Sequence, residues 1–69
     1  MSKESRVYER FMKSLEEDKI LVVVFLVNGV KLQGFIEDFD EVSIILKREQ
    51  NVQLLYKHAV STIVPQKEG

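Results

Sequence analysis

The run Ile20-Leu21-Val22-Val23-Val24-Phe25-Leu26-Val27 carries no polar side chain and ends on Asn28-Gly29, and no other stretch restricts the fold as strongly. It is too short for a second helix of ordinary length and rich in β-branched residues, so it reads as a strand covered on both faces. Asn28-Gly29 supplies the two positive-φ residues of a type I′ turn, which reverses the chain into a hairpin. The returning strand, residues 30–39, alternates Val30, Leu32 and Ile36 with Lys31, Gln33 and Glu37 and holds Gly34 near its centre. A glycine inside a strand marks a bend or a close backbone approach, and in a small barrel it lets one strand serve two sheets.

Residues 38–41 then read as a turn, residues 42–47 as a third strand, Arg48-Glu49-Gln50-Asn51 as a polar connection, residues 52–56 as a fourth strand and residues 59–64 as a fifth. Upstream, after five loose polar residues, Val7, Phe11 and Leu15 recur at four-residue spacing with Tyr8 and Met12 beside them. That pattern is an amphipathic helix over residues 5–18 that needs a surface to lie on. Its last turn holds Glu16, Glu17 and Asp18, the charge that a helix C-terminus disfavours, only partly offset by Lys19. The expected fold is mainly β (α+β): an N-terminal helix on a five-stranded, strongly bent antiparallel sheet or small open barrel, one domain over residues 1–65 with a short tail at 66–69. Only Lys57-His58 separates the fourth and fifth strands, which is tight for a simple hairpin and leaves strand edges to be paired. Edge-to-edge pairing of identical chains closes into a ring when the rotation permits.

At 69 residues and no cysteine, a chain buries only about 60% of the surface its unfolded form exposes, so association is the natural source of missing stability. Disulfides, thiolate zinc sites and cysteine nucleophiles are excluded. The balance of 10 Lys+Arg against 11 Asp+Glu argues against a nucleic-acid binder that runs on bulk positive charge. The N-terminus is polar and the one long apolar run is far too short to span a bilayer, so a cytoplasmic protein with no membrane contact is expected. There is no nucleophile elbow, phosphate-cradling glycine loop or metal-ligand cluster, and the single histidine, His58, has no sequence-adjacent carboxylate. Glu37, Asp38, Asp40 and Glu41 read as solvated carboxylates at a turn. No enzyme and no cofactor is expected.

Near the C-terminal end, Tyr56-Lys57-His58-Ala59-Val60-Ser61-Thr62-Ile63-Val64-Pro65 puts an aromatic, a cation and the imidazole side by side before a β-branched run closed by the only proline. Together with Leu26-Val27-Asn28-Gly29-Val30-Lys31-Leu32-Gln33-Gly34 and Phe39-Asp40, it resembles the Hfq family of bacterial Sm-like RNA chaperones, in register over residues 11–65. The resemblance implies a homohexameric ring whose two faces and outer rim bind RNA, pairing small regulatory RNAs with mRNAs in post-transcriptional regulation.

On the distal face, which takes adenine-rich RNA in such rings, the resemblance makes Phe25 a base-stacking platform rather than ordinary core. Asn28, Gly29, Val30, Lys31, Leu32, Gln33, Gln53, Ser61 and Thr62 match the positions that line the purine pockets. Stacking on an aromatic needs no net positive charge, and Gln33 and Gln53 can each donate and accept as a purine edge requires. Around the pore, on the proximal face, Phe39, Tyr56, Lys57 and His58 match residues that contact uridine-rich RNA and 3′ ends. A strand-end histidine that only hydrogen-bonds backbone is the plainer account of His58. Here the chain departs from the family: Glu41 and Val42 stand where most members have glutamine and a stacking phenylalanine, and Tyr8 stands for a glutamine. Weaker or altered U-rich binding is expected, with Tyr8 able to return an aromatic from the helix. At the rim, Glu16, Glu17 and Asp18 stand where well-studied members have arginines, so poor strand annealing is expected. The alternative is an Sm-like structural or protein-interaction module whose RNA binding has decayed and whose acidic rim recruits a basic partner.

Overall fold

Side-chain alternation along the apolar run decides where the core lies. In the computed structural model, which describes residues 3–66 and side chains from Arg6 onward, Val22 and Val24 are fully buried, while Leu21, Val23 and Phe25 are half-buried. The strand is therefore β1 (Leu21–Leu26), closed on one face and only partly covered on the other, rather than covered on both. The helix α1 (Lys3–Glu17) precedes it. After it come β2 (Lys31–Phe39), β3 (Ser43–Arg48), β4 (Asn51–Tyr56), a single 3₁₀ turn (Lys57–Ala59) and β5 (Val60–Pro65). All neighbours are antiparallel in the order β4-β3-β2-β1-β5. The expected helix on a bent five-stranded sheet is what forms. The expected loose N-terminal residues and short tail lie largely outside the described residues, although α1 already starts at Lys3.

The helix buries only one side of the expected apolar stripe. Met12 and Leu15 are 0% and 2% exposed, whereas Val7 and Phe11 are 51% and 40% exposed. The buried line is Tyr8, Met12 and Leu15, which sit on one face at helical spacing and pack against Val22 and Val24 of β1, Ile36 of β2 and Ile44 and Leu46 of β3. Each fully buried aliphatic side chain here is worth about 1.5–3 kcal/mol, and the cluster is small. The helix ends where the Ile20 N–H reaches back to the Leu15 carbonyl (3.2 Å) and the Lys19 N–H to that of Glu16 (3.3 Å). Lys19 takes φ 51°, the left-handed position of a Schellman cap that glycine usually fills.

The turn after β1 differs from the type I′ expectation. Only Gly29, not Asn28, has positive φ (92°). The Gly29 N–H donates to the Leu26 carbonyl at 2.9 Å and the Leu26 N–H to the Val30 carbonyl at 2.8 Å. This is a three-residue loop of type I turn plus left-handed glycine, and Asn28 uses its side chain instead, its Oδ1 accepting from the Val30 N–H at 3.0 Å. Val30, Val42 and Ala59, expected inside strands, fall just outside them, while β2 runs to Phe39 as expected, so that of residues 38–41 only Asp40 and Glu41 are left to the turn.

Gly34 makes the bend. The part of β2 up to Phe35 pairs with β1 (Lys31 opposite Phe25, Phe35 opposite Leu21), and the part from Phe35 onward pairs with β3 (Phe35 opposite Lys47, Phe39 opposite Ile44). A Cβ on Gly34 would lie 2.8 Å from the Lys47 carbonyl oxygen and 3.1 Å from Leu46 Cγ, so β2 and β3 cross at a spacing only glycine allows. A bulge at Glu37, between the Ile36 and Asp38 pairings, adds curvature. Gly34→Ala is expected to lower stability by about 1–3 kcal/mol, the usual cost of overpacking against unyielding backbone, read as a shifted urea midpoint at unchanged slope.

Candidate nucleic-acid interface

The residues of the hairpin side come together in two steps. Phe25 stands opposite Lys31 on β2 and Thr62 on β5, and Val23 stands opposite Gln33. Directly paired residues share a face of the sheet, so Phe25, Lys31, Gln33 and Thr62 lie on the outer face, away from the helix. Between Phe25 and Leu26 the pairing with β5 slips by one residue, which makes Ser61 the extra residue of a bulge. Bulges re-aim side chains, and the Ser61 and Thr62 hydroxyls lie 3.4 Å apart. Asn28, Gly29 and Val30 form the exposed hairpin tip beside this row.

Gln53 reaches the same region from the other side of the sheet. It pairs with the buried Leu46, hence faces inward, yet the bend opens the end of the barrel there. Lys31, Leu32 and Gln33 of β2 and Gln53 of β4 then border one solvent-open groove of about 400 Å³, within the size range of small-ligand pockets. Arg48 and Asn51, assigned from sequence only to a polar connection, border it as well. Arg48 Nη1 donates to Gln33 Oε1 at 2.8 Å. Nothing in the sequence links two residues that far apart.

The proximal residues split into two groups. Tyr8, Phe39, Glu41 and Lys57 meet in a groove of about 290 Å³, with Glu9, Lys13 and Asp40 also on its walls. Tyr8 meets Phe39 edge-on (centroids 6.0 Å apart, 88° between planes), and Lys57 Nζ sits 4.0 Å from the Tyr8 centroid, in cation–π range. The Tyr8 hydroxyl donates to the Asp40 carbonyl at 3.1 Å. Burial, and secondarily the Asp40 carboxylate, push the Tyr8 pKa above the usual phenol value, so the phenol stays neutral. Tyr56 and His58 form the second group, stacked at 5.8 Å and 17°, with His58 exposed. Val42 is exposed and lines neither groove; its carbonyl accepts from the Lys57 N–H at 2.8 Å, which fixes the corner.

Asp40 organises the turn between β2 and β3. Its Oδ1 accepts from the Val42 N–H (2.9 Å), the Ser43 N–H (2.8 Å) and the Ser43 hydroxyl (3.0 Å). The Asp at a turn start with Ser three residues on was the available signal. These bonds, led by that from Val42, hold the Asp40 carboxyl below its ordinary value of 3.8.

A helix laid over one face of a five-stranded, sharply bent antiparallel sheet, with both edge strands unpaired among the described residues and grooves at two ends, defines an Sm-like fold. The family profile described as Hfq protein matches residues 7–69. "RNA-binding protein Hfq" of Granulibacter bethesdensis is 49% identical over 63 residues, covering 91% of this chain and 68% of that protein. The protein of the same name in Paramagnetospirillum magneticum is 46% identical, covering 91% and 75%. The crystal structure of "the pleiotropic translational regulator, Hfq" superposes with a TM-score of 0.81 at 29% identity, over 84% of this chain and 97% of that one. The chain belongs to the Hfq family.

The acid behaviour of the Asp40 turn follows in sign. A carboxyl with a lowered pKa in the folded state contributes stability that is present above the unfolded value and is lost as pH falls through the folded one. Asp40→Asn keeps an oxygen acceptor but cannot titrate. It is expected to flatten the fall in stability below about pH 4, measured by thermal melts across pH 3 to 7 relative to wild type.

Proposed function

We propose that the chain assembles into a ring, a hexamer by its family, and binds single-stranded RNA as a chaperone in post-transcriptional regulation rather than as an enzyme. Adenine-rich RNA occupies the distal groove and the Phe25 row; U-rich RNA or 3′ ends bind more weakly at the pore. The observation that carries this reading is the convergence of Gln33 and Gln53, from opposite faces of the sheet, on one open groove beside Lys31. Two amides and an outer-face aromatic suit purines, where stacking contributes about 1–3 kcal/mol per base without bulk charge. Ring closure is supported by the strand order, which leaves β4 and β5 as the two open edges, with Val52, Leu54 and Val64 exposed along them. An exposed apolar edge is stable in solution only when covered, and β4 of one copy against β5 of the next covers both.

The weaker pore site follows from what already fills it. Lys57, the cation meant for phosphate or uracil, is engaged over the Tyr8 ring, and Glu9, Asp40 and Glu41 line the same groove. Tyr8 therefore supplies an aromatic but spends its face on the chain's own lysine. At the rim, Glu17, Asp18 and Lys19 are exposed and Glu16 half-buried, an acidic surface that repels RNA bodies.

Anisotropy titration of labelled oligo-A and oligo-U at two salt concentrations tests the reading. Oligo-A is expected to bind more tightly than oligo-U, with Phe25→Ala costing about tenfold or more in oligo-A affinity and leaving oligo-U nearly unchanged. If neither oligomer binds, the acidic rim favours the protein-interaction module instead. In a strand-annealing assay with complementary RNAs, the chain is expected to give little acceleration, and introducing arginine at Glu16 and Glu17 is expected to raise it.

A further inference from the structure

Arg48 closes β3 at the mouth of the distal groove, exposed to solvent, and its guanidinium holds the oxygen of Gln33 from a strand away. A glutamine amide has an accepting oxygen on one side and two donor hydrogens on the other, and in an open groove it can present either. A guanidinium has five N–H donors, no acceptor, and does not lose its proton. Facing it, Gln33 must turn its oxygen inward, because the reverse orientation sets donor against donor. Nε2, with both side-chain amide hydrogens, is then the end of the Gln33 amide left to face a ligand.

We infer that Arg48 is a positioning residue that fixes the hydrogen-bonding polarity of Gln33, so that the distal groove reads Gln33 as a donor and selects bases that present a ring-nitrogen acceptor to it. The inference rests on the adenine-binding reading and deepens it. Adenine offers unprotonated ring nitrogens on each of its edges, whereas a base edge that presents its own N–H at the same place meets two donors with no acceptor. An unpaired donor is costly when the groove is covered by a stacked base, so a fixed amide discriminates where a freely flipping one adapts. Four guanidinium N–H groups remain beyond the one bonded to Gln33, so Arg48 keeps its charge at the groove mouth without being consumed by the contact.

Both side chains are outside the buried core, so variants should fold. The test is a double-mutant cycle of Arg48→Met and Gln33→Met, with Arg48→Lys as the conservative variant, read by anisotropy of a short labelled oligo-A at two salt concentrations. The Gln33 side-chain amide is followed by ¹⁵N NMR in the absence of RNA. Arg48→Met is expected to weaken oligo-A about three- to tenfold, Arg48→Lys to restore most of that, and the loss to shrink to less than about twofold in the Gln33→Met background. The Gln33 amide resonances should shift in Arg48→Met. Additive losses, with the salt slope reduced by about one, would instead make Arg48 a phosphate contact and overturn the inference, as would unchanged oligo-A affinity or an unmoved Gln33 amide. Wild-type protein that ignores oligo-A defeats the adenine reading itself, and an Arg48-dependent Gln33 amide would separate that failure from failure of the positioning.

Discussion

The close passage of β2 over β3 at Gly34 is the constraint on which the rest depends. Because the Lys47 carbonyl lies within 2.8 Å of where a side chain would begin, β2 can leave β1 and join β3 within one residue, and the sheet folds over its own helix-covered core. A flatter sheet would keep Gln33 and Gln53 on opposite faces, as their pairing partners Val23 and Leu46 dictate. The groove between them exists only because the sheet turns. A packing constraint in the scaffold thus shapes the groove.

That surface is chemically mild. The groove and the outer face beside it present amides, hydroxyls and an aromatic, with Lys31 and Arg48 as the nearby cations, in a chain of nearly balanced charge. The opposite end is already satisfied internally: the Tyr8 ring takes Lys57 and Phe39, its hydroxyl takes the Asp40 carbonyl, and the Asp40 side chain takes two backbone N–H groups and a serine. The two ends differ in how much hydrogen-bonding and π surface they leave for a visitor. The tyrosine at position 8 is central to that difference.

Much of this was written in local sequence. The apolar run, the glycine in the second strand and the tight Tyr56-Lys57-His58 corner each act through backbone geometry over a few residues, and each led to the observed element. Asn28-Gly29 gave the reversal but not the turn, because the pair suits both a two-residue loop and a three-residue loop in which only the glycine is left-handed. The helix stripe was legible as a whole but not its edge, because Val7-Phe11-Leu15 and Tyr8-Met12-Leu15 both fit helical spacing within it; which side is buried depends on where the sheet lies. Lys19 in a left-handed cap carries no sequence signal, since glycine or asparagine would be expected there. The Arg48 to Gln33 bond and the Tyr8 to Lys57 contact join distant segments, so only the folded chain reveals them.

The three-residue 3₁₀ turn, Lys57–Ala59, has a consequence for energy transfer. It joins the two strands at opposite margins of the sheet, so in the proposed ring this corner would be covalently continuous with both of the edges that meet neighbouring copies. Whatever docks on Lys57 and His58 would therefore strain or settle two intersubunit seams at once. By reciprocity, a ligand that favours the assembled geometry is itself bound more tightly by the assembled state, so in the proposed ring, occupancy of this corner and cohesion of the assembly would form a single linked equilibrium.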